Sequence, residues 1–312
     1  MTTLLYTHSA CLEHDAGYGH PECAARLAAI LKALKTPPFS ALQWRDAPLA
    51  SIDQLTRIHA PAHVERILSR IPKQGHYAID GDTVVSPQSG EAALRAAGAV
   101  CAAVDAVIEG AAHNAFCAIR PPGHHAEPNQ SMGFCLFGNA AIGAAHARAV
   151  HGLERVAVVD FDVHHGNGTQ AAFERDPAYL YISTHQAYIY PGTGRRSERG
   201  VGNIVNIPLP ANSGAAELQE VWRQEIEPAL AAFKPELLLV SAGFDAHYLD
   251  PLAELNFTED DYAWMTQQLL AIAREHCQGR VVSMLEGGYN LQALAASTAA
   301  HVSALMEDGA SG

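Results

Sequence analysis

Four segments rich in polar residues or glycine each follow directly after an apolar run of the chain. They are Arg120–His125, Asp160–Gly168, Ala242–Asp245 and Glu286–Tyr289. If the apolar runs are parallel strands of one sheet, their carboxyl ends meet at one edge, where such sheets bind their ligands. The sequence therefore predicts a single site assembled from segments that are far apart in the chain.

The second segment has alternating residues that suit a metal ion. Residues two apart in an extended chain point to the same side, so Asp160, Asp162 and His164 share one face. A carboxylate and an imidazole at this spacing can bind one divalent ion, and Asp245 could supply a third ligand. Three protein ligands leave a position open for water or substrate, as in catalytic zinc sites, although oxygen-rich ligation also suits iron(II) or manganese. The alternative is that the aspartates only hydrogen-bond to the backbone, with the histidines packed nearby.

The pair His124 and His125 gains a chemical role only beside a metal ion, since histidine pairs in Pro/Gly loops are often incidental. Beside a metal, one imidazole can take a proton from bound water and return it to a leaving amine. Asp160 and Asn167 are available to orient the two rings. An Asp partner favours the imidazolium, whereas an Asn partner leaves its histidine nearer neutral, so the two rings can have different roles.

Tyr289 follows Gly287 and Gly288, which permit a close backbone approach, and it presents a phenol. Beside a metal-bound carbonyl, a tyrosine hydroxyl is a suitable hydrogen-bond donor to a developing oxyanion. The segments Gly133-Phe134 and Tyr190–Gly194 could wall a narrow tunnel. Each of these features, taken alone, also fits an ordinary turn or loop packing.

The elements that must position these residues alternate between β-rich apolar runs and alanine-rich stretches of helical period. Most strands are continuous apolar runs, which is typical of strands covered on both faces. The alternation predicts an α/β fold with a single parallel β-sheet flanked by helices on both faces. The predicted strands are Leu4–Thr7, Ala115–Ile119, Val156–Asp160, Tyr179–Ser183, Ile204–Ile207, Leu237–Ser241 and Val281–Leu285, and the predicted helices are Ala24–Leu34, Gly90–Glu109, Asn139–Val150, Ala216–Phe233, Glu259–His276 and Leu291–Met306.

Composition restricts the class of protein. The length fits one large unit, and we predict a single domain over residues 1–312. A formal charge of −13 argues against a nucleic-acid partner, which needs clustered Lys and Arg. No apolar run is long enough to span a bilayer and the first residues do not resemble a signal peptide, so we expect no membrane partner and a cytoplasmic location. The six cysteines form no CxxC pair and are expected to be reduced and mostly buried.

In order along the chain, the four polar segments resemble the motif series of the zinc-dependent histone deacetylase family. Gly19–Glu22 with Arg26 resembles the N-terminal segment of that family, so the resemblance runs from about residue 19 to about residue 290. Asn167 stands where class I enzymes carry Asp, and this resembles the class II branch. That branch includes bacterial deacetylase-like amidohydrolases and acetylpolyamine amidohydrolases.

The resemblance implies the arginase-deacetylase fold, with zinc bound by Asp162, His164 and Asp245. It implies His125 as general base and acid, His124 as its electrostatic partner, and Tyr289 as oxyanion donor. The family often carries structural monovalent cations, usually K⁺, with Na⁺ as the alternative. By position, the first cation would use Asp160, Asp162, His164, Ser183 and Thr184, and the second would use Phe173, Asp176 and Tyr179, largely through carbonyl oxygens.

Substrate contacts are also implied by the resemblance. Phe134, with Gly133 before it, resembles one wall of an acyl-lysine tunnel, and Tyr190 stands where the facing wall is usually Phe. Asp82 lies in the loop that often anchors the substrate backbone. Polyamine-selective relatives place a carboxylate at the tunnel mouth, whereas Leu252 resembles the acyl-lysine enzymes; the nearby Glu254 keeps acetylpolyamines open.

The predicted reaction is hydrolysis of N-acetyl-lysine in proteins or peptides. The nearest alternative is deacetylation of acetylpolyamines or of another small acetylated amine. An arginase-like ureohydrolase shares the fold class but needs a second metal and more carboxylate ligands than the sequence supplies. A binding protein on an inactive deacetylase scaffold is disfavoured because every expected catalytic residue is present.

Overall fold

A parallel β-sheet lies at the centre of the molecule, and the computed structural model describes residues 2–308. The strands of this range are β1 (Thr3–Thr7), β2 (Gln43–Asp46), β3 (Tyr77–Ala78), β4 (Val84–Val85), β5 (Asn114–Cys117), β6 (Val156–Asp160), β7 (Tyr179–Gln186), β8 (Ile204–Leu209), β9 (Leu237–Ala242) and β10 (Val281–Leu285). The α-helices are α1 (Ala10–Glu13), α2 (Ala24–Leu34), α3 (Ile52–Thr56), α4 (Pro61–Ser69), α5 (Ser89–Ile108), α6 (Asn139–His151), α7 (Asn167–Phe173), α8 (Ala215–Val221), α9 (Glu227–Phe233), α10 (Glu259–His276) and α11 (Leu291–Asp308).

Eight strands form the main sheet in the order β2-β1-β5-β10-β9-β6-β7-β8, and every neighbouring pair is parallel. The remaining two, β3 and β4, form a short antiparallel pair. The four strands that precede the polar segments, β5, β10, β9 and β6, are consecutive neighbours in the middle of the sheet. Because they are parallel, all four segments emerge at the same edge, as the sequence predicts.

Helices cover the sheet on both of its faces. One group contains α5 and α6, which pack against each other and against central strands; the other contains α2, α10 and α11. Strands β6 and β9 are buried along their whole length, in keeping with their continuous apolar sequences. The predicted single parallel sheet between helices is therefore confirmed.

All seven predicted strands and all six predicted helices are present within the described residues, with small differences in their ends. The stretch Ala216–Phe233 differs in one detail, because a π-helical turn over Trp222–Ile226 separates α8 from α9. Pro228 follows this turn and has no N–H to bond to the carbonyl four residues earlier, which explains why regular α-helical bonding is interrupted here.

Strand β2 and several short helices are not predicted by the sequence. β2 lies at the edge of the sheet, and most of its side chains are exposed, so it lacks the apolar pattern of a covered strand. Helices α1, α3 and α7 have seven residues or fewer, too few to show a helical period. Among residues 2–308, no helix is both long enough and apolar enough to cross a membrane.

Candidate active site

Asp162, His164 and Asp245 bring three potential metal ligands together just beyond the ends of β6 and β9. His164 Nδ1 lies 3.1 Å from Asp162 Oδ1 and 3.2 Å from Asp245 Oδ2. A tetrahedral site with bonds of about 2.0 Å has ligand-to-ligand edges of about 3.3 Å. The two distances from His164 match this value, and all three ligand atoms lie within 4.8 Å of one another, so they can bind a single small divalent ion. The triad supplies no fourth ligand.

Backbone groups fix the orientation of both carboxylates. The N–H of Val163 donates to Asp245 Oδ1 at 2.8 Å, which leaves Oδ2 facing His164. The N–H of Gly287 donates to Asp162 Oδ2 at 2.8 Å. A Cβ on Gly287 would overlap both carboxylates, so only glycine allows the backbone this close to the ligands.

The charges of this triad favour a bound cation. Burial raises the pKa of Asp245 to about 7, and the neighbouring Asp162 carboxylate adds to this increase. Burial lowers the pKa of His164, but its contacts with the two carboxylates more than offset this and raise the value to about 10. Two adjacent buried carboxylates repel each other, and a divalent ion would relieve that repulsion. The donor set and its spacing therefore fit zinc.

His124 and His125 have different hydrogen-bond partners, as the sequence predicts. His124 Nδ1 lies 3.1 Å from Asp160 Oδ2, and its Nε2 lies 3.7 Å from Asp162 Oδ1. His125 Nδ1 lies 2.8 Å from the amide oxygen of Asn167. The two rings are in contact, with their centroids 4.0 Å apart.

These partners give the two rings opposite charge preferences. Burial lowers the pKa of His124, but the carboxylates of Asp162 and Asp160 outweigh this effect and raise the pKa well above its usual value. Burial holds the pKa of His125 well below its usual value, and the charges of His124 and His164 lower it further. These opposite shifts favour the imidazolium at His124 and the neutral imidazole at His125.

Asn167 also determines which nitrogen of His125 carries the proton. Its amide nitrogen donates to Glu127 Oε1 at 2.7 Å and to Met132 Sδ at 3.4 Å, so its oxygen faces His125. An amide oxygen can only accept, and His125 Nδ1 must therefore carry the hydrogen. The lone pair of the neutral ring is then on Nε2.

Tyr289 contributes the third functional group of the site. Its backbone N–H donates to Asp250 Oδ2 at 2.7 Å, and the Arg26 guanidinium lies 4.8 Å from the centre of its ring. Burial raises the pKa of the Tyr289 hydroxyl well above its usual value, although the charge of Arg26 opposes the shift. The phenol therefore keeps its proton and can act as a hydrogen-bond donor.

A pocket of about 280 Å³ opens onto these groups. Aromatic side chains form part of its walls: the ring centroid of Tyr190 lies 5.1 Å from that of His125, and the ring centroid of Phe134 lies 6.0 Å from that of Tyr289. All five residues that the sequence predicts to contact substrate line this pocket together with three site residues: Asp82, Gly133, Phe134, Tyr190, Leu252, His125, His164 and Tyr289.

The loop at Gly133 and Phe134 is held in an unusual backbone conformation, with φ values of +57° and +68°. Asp82 Oδ1 accepts from the Gly133 N–H at 3.2 Å, and Thr83 Oγ1 accepts from the Phe134 N–H at 3.1 Å. A Cβ on Gly133 would overlap the His125 ring, so glycine is required beside the base. Asp82 thus supports this wall of the pocket as well as lining it.

Comparison with known proteins agrees with this geometry. A family model described as the histone deacetylase domain matches residues 20–305. The chain belongs to the histone deacetylase family. It is 43% identical to histone deacetylase 14, chloroplastic, of Arabidopsis thaliana, over 97% of this chain and 76% of that protein. It is 41% identical to the histone deacetylase-like amidohydrolase of Pseudomonas aeruginosa, over 89% of this chain and 75% of that protein.

The crystal structure of the HDA15 HD domain superposes on this histone deacetylase family member with a TM-score of 0.92. The two sequences are 34% identical, and the match covers 98% of this chain and 88% of that chain. Together with the family match and the parallel sheet, this superposition confirms the predicted arginase-deacetylase fold.

Two buried charged residues whose roles were not predicted connect the deacetylase-family motifs to one another. Arg26 donates to the carbonyls of Glu286 and Gly288, each at 2.6 Å, and so holds the loop that carries Tyr289. The Glu286 carboxylate accepts from the N–H of Gly123 at 2.7 Å and from that of His124 at 3.2 Å. Both residues belong to recognised segments, but their partners lie far away in sequence, so spacing alone gave no signal of these roles.

The residues predicted for the first monovalent cation border the site, whereas those predicted for the second lie around the start of β7. Asp160 and Ser183 are direct partners in the pairing of β6 with β7, Thr184 is the next residue of β7, and Asp162 and His164 follow the end of β6. This arrangement leaves the first cation site as a prediction. The carbonyls of the second set, Phe173, Asp176 and Tyr179, all converge on the side-chain nitrogen of Asn203.

A second group of potential metal ligands, Asp105, His146 and His151, lies between α5 and α6. Asp105 Oδ1 is 2.7 Å from Nε2 of each histidine. Arg57 Nη1 lies 2.8 Å from His146 Nδ1, and an arginine can only donate, so Nδ1 accepts and Nε2 carries the proton. Nε2 then has no lone pair for a metal, and the group is a hydrogen-bonded pair of histidines on one carboxylate.

Proposed function

We propose that this protein is a zinc-dependent amidohydrolase that removes the acetyl group from N-acetyl-lysine in proteins or peptides. The observation that carries this proposal is the convergence of three groups on one pocket. The Asp162, His164 and Asp245 triad, the neutral His125 and the protonated Tyr289 supply a metal site, a base and an oxyanion donor. Membership of the histone deacetylase family and the names of the relatives support a deacetylase or amidohydrolase activity.

When bound, the zinc ion would act as a Lewis acid and lower the pKa of a water molecule. His125 would accept the proton of this water at Nε2, the nitrogen left free by the bond of Nδ1 to Asn167. The low pKa of this ring keeps it unprotonated at neutral pH. The same Nε2 would then return the proton to the nitrogen of the departing amine.

The other groups stabilise charge during the reaction. The Tyr289 hydroxyl would donate a hydrogen bond to the acetyl oxygen as negative charge develops on it. The cationic His124 lies against His125 and lowers its pKa. Water adds to the acetyl carbon, the C–N bond breaks, and the products are acetate and a free amine.

The pocket favours an extended, uncharged acyl-amine stem. Its walls include the rings of Phe134 and Tyr190, between which an acetyl-lysine chain could lie. Leu252 lines the pocket, whereas Glu254 is not among the residues that line it. A leucine offers no charge to a second ammonium group, which supports acetyl-lysine over acetylpolyamines.

Deacetylation of acetylpolyamines or another small acetylated amine is the second candidate. The observation that favours it is the carboxylate of Asp82, which lines the pocket and could attract a distant ammonium. The net charge of −13 would also attract cationic substrates. The structural monovalent cation at the first site, the single domain over residues 1–312 and the cytoplasmic location remain further predictions from the sequence.

The test is a parallel measurement of kcat/KM on acetyl-lysine peptides, acetylputrescine and acetylspermidine, with acetate release as the readout. The zinc-loaded enzyme should act best on a peptide, and removal of zinc with a chelator should abolish the activity until zinc is restored. A higher kcat/KM on either polyamine would reverse the order of the two candidates. Failure to release acetate from all three substrates by the zinc-replete protein would reject the deacetylase proposal.

A further inference from the structure

Asn203 lies where three backbone carbonyls converge at the start of β8. Its Nδ2 donates to the carbonyl oxygen of Phe173 at 2.8 Å, to that of Asp176 at 3.0 Å and to that of Tyr179 at 2.9 Å. These carbonyls belong to the turn between α7 and β7. They are also the three that the family resemblance assigns to a second monovalent cation.

The orientation of the Asn203 amide follows from its other contact. The Val201 N–H donates to Asn203 Oδ1 at 3.2 Å, so the oxygen faces Val201 and the nitrogen faces the carbonyls. A reversed amide would put an oxygen against three carbonyl oxygens and lose every one of these bonds. The side chain is buried, and its two N–H groups are shared among the three acceptors.

A cation bound by these three carbonyls would have to occupy the space of the Asn203 nitrogen. Arg148 helps to hold the same turn. Its Nη1 donates to Asp176 Oδ2 at 2.9 Å, and its guanidinium lies 5.0 Å from the centre of the Tyr179 ring. The turn is therefore closed by side-chain contacts of this chain on both sides.

We propose that the side-chain amide of Asn203 takes the place of the second monovalent cation in this chain. The turn from Phe173 to Tyr179 then closes on a built-in hydrogen-bond donor and needs no ion. The proposal concerns how the fold is held together and is independent of the substrate and reaction proposed above.

The experiment compares the wild-type protein with Asn203→Ala and with a matched control, Asn206→Ala. Asn206 is three residues further along the chain, buried, and donates to Gln170 Oε1 at 2.7 Å, but it does not contact the three carbonyls. Thermal unfolding is measured in choline chloride and in KCl at the same ionic strength. Crystals of wild type and Asn203→Ala are also soaked in thallium(I), which replaces K⁺ and gives an anomalous signal.

We expect Asn203→Ala to lower Tm by roughly 5 °C in choline chloride, because all three carbonyls lose the bond from Asn203, although those of Phe173 and Asp176 keep a backbone N–H donor. KCl should restore at least half of this loss, whereas Asn206→Ala should respond to KCl no more than the wild type does. Thallium should bind among the three carbonyls in Asn203→Ala but not in the wild type. A thallium peak there in the wild type, or a potassium response of Asn203→Ala no larger than that of the control, would overturn the proposal. If Asn203→Ala does not fold, the wild-type soak alone decides.

Discussion

The floor of the pocket, formed by the metal-ligand triad with His125 and Tyr289, and its mouth, formed by Tyr190 and Leu252, are built in different ways. At the floor, His125 is 4% exposed, and its neighbours are fixed by backbone N–H groups and buried side chains. At the mouth, Tyr190 and Leu252 are 39% and 40% exposed. Groups with several buried partners tolerate little change, whereas exposed loop residues can change without disturbing the fold. We therefore expect substitutions at the floor to affect the reaction itself and substitutions at the mouth to affect substrate choice.

The largest effect is expected for Asp245→Ala. It removes one of three proposed zinc ligands, and the remaining two cannot hold the ion tightly. We expect loss of bound zinc and a fall in kcat of more than about 10³-fold, exceeding the loss of one oxyanion donor. Zinc is measured by elemental analysis of the purified protein. The matched control is Asp53→Ala, an exposed aspartate on α3 that should leave zinc and activity unchanged; stoichiometric zinc in Asp245→Ala would refute the ligand assignment.

Tyr289→Phe separates catalysis from metal binding at the floor. It keeps the ring beside Arg26 and deletes only the hydroxyl. Loss of one oxyanion donor lowers kcat by about 10² to 10³-fold. KM should change less than kcat, because the bond strengthens as charge develops, and zinc content should stay the same. The exposed Tyr248 supplies the control, Tyr248→Phe; wild-type turnover by Tyr289→Phe would require a different oxyanion donor.

Asn167→Ala tests whether the partner of a buried ring controls its basicity. The hydrogen bond from His125 Nδ1 to Asn167 raises the pKa of His125 against the effect of burial. Without it the pKa should fall further, so the acid limb of kcat/KM should move to lower pH. Loss of the orienting partner should also lower kcat/KM by about 10- to 100-fold.

The pH profile of kcat/KM is compared with that of Asn256→Ala, a surface control. A shift of the acid limb to higher pH in Asn167→Ala, or an unchanged rate, would contradict the proposed role of this hydrogen bond. A lower rate with an unmoved acid limb would mean that Asn167 orients the ring without setting its pKa.

The floor was predictable from sequence because each of its segments follows a continuous apolar strand. Parallel pairing then brings Asp162, Asp245 and His125 to one edge, whatever the order of the strands. The partners that hold them were not predictable. Arg26 donates a hydrogen bond to a carbonyl 262 residues away in the sequence. Asn203 donates to carbonyls that come together only when the turn has folded. Such contacts depend on how the connections between strands pack and on which way each side chain points. Neither of these produces a pattern in the local sequence.

The mouth is harder to predict from the sequence, because exposed loops show no periodic pattern of apolar residues and bury few side chains. Leu252 was assigned to the pocket through the resemblance alone, and the structure brings it there. Edge strand β2 escaped prediction for a related reason, since three of its four side chains are exposed. Sequence patterns report burial, so they describe the regions of this molecule that are buried better than those that meet solvent.

The smallest predicted effect concerns this exposed region and is the change of preference in Leu252→Glu. The substitution places a carboxylate on the pocket lining, where it can attract the distal ammonium of acetylspermidine but has no partner on a neutral acetyl-lysine peptide. Because Leu252 is 40% exposed, solvent weakens the attraction. We expect the ratio of kcat/KM for acetylspermidine over the peptide to rise about two- to fivefold, with kcat on the peptide unchanged.

Two comparisons show whether the change in preference comes from charge at the pocket itself. Leu249→Glu adds the same charge at a similarly exposed leucine that is absent from the pocket lining, so it should shift the ratio less. High salt should reduce the effect of Leu252→Glu, because exposed charges are screened over about 8 Å at physiological ionic strength. Equal shifts in the two variants would mean that net charge attracts the polyamine. No shift in either would mean that another residue of the pocket lining sets selectivity, and Tyr190 and Asp82 would be the next residues to change.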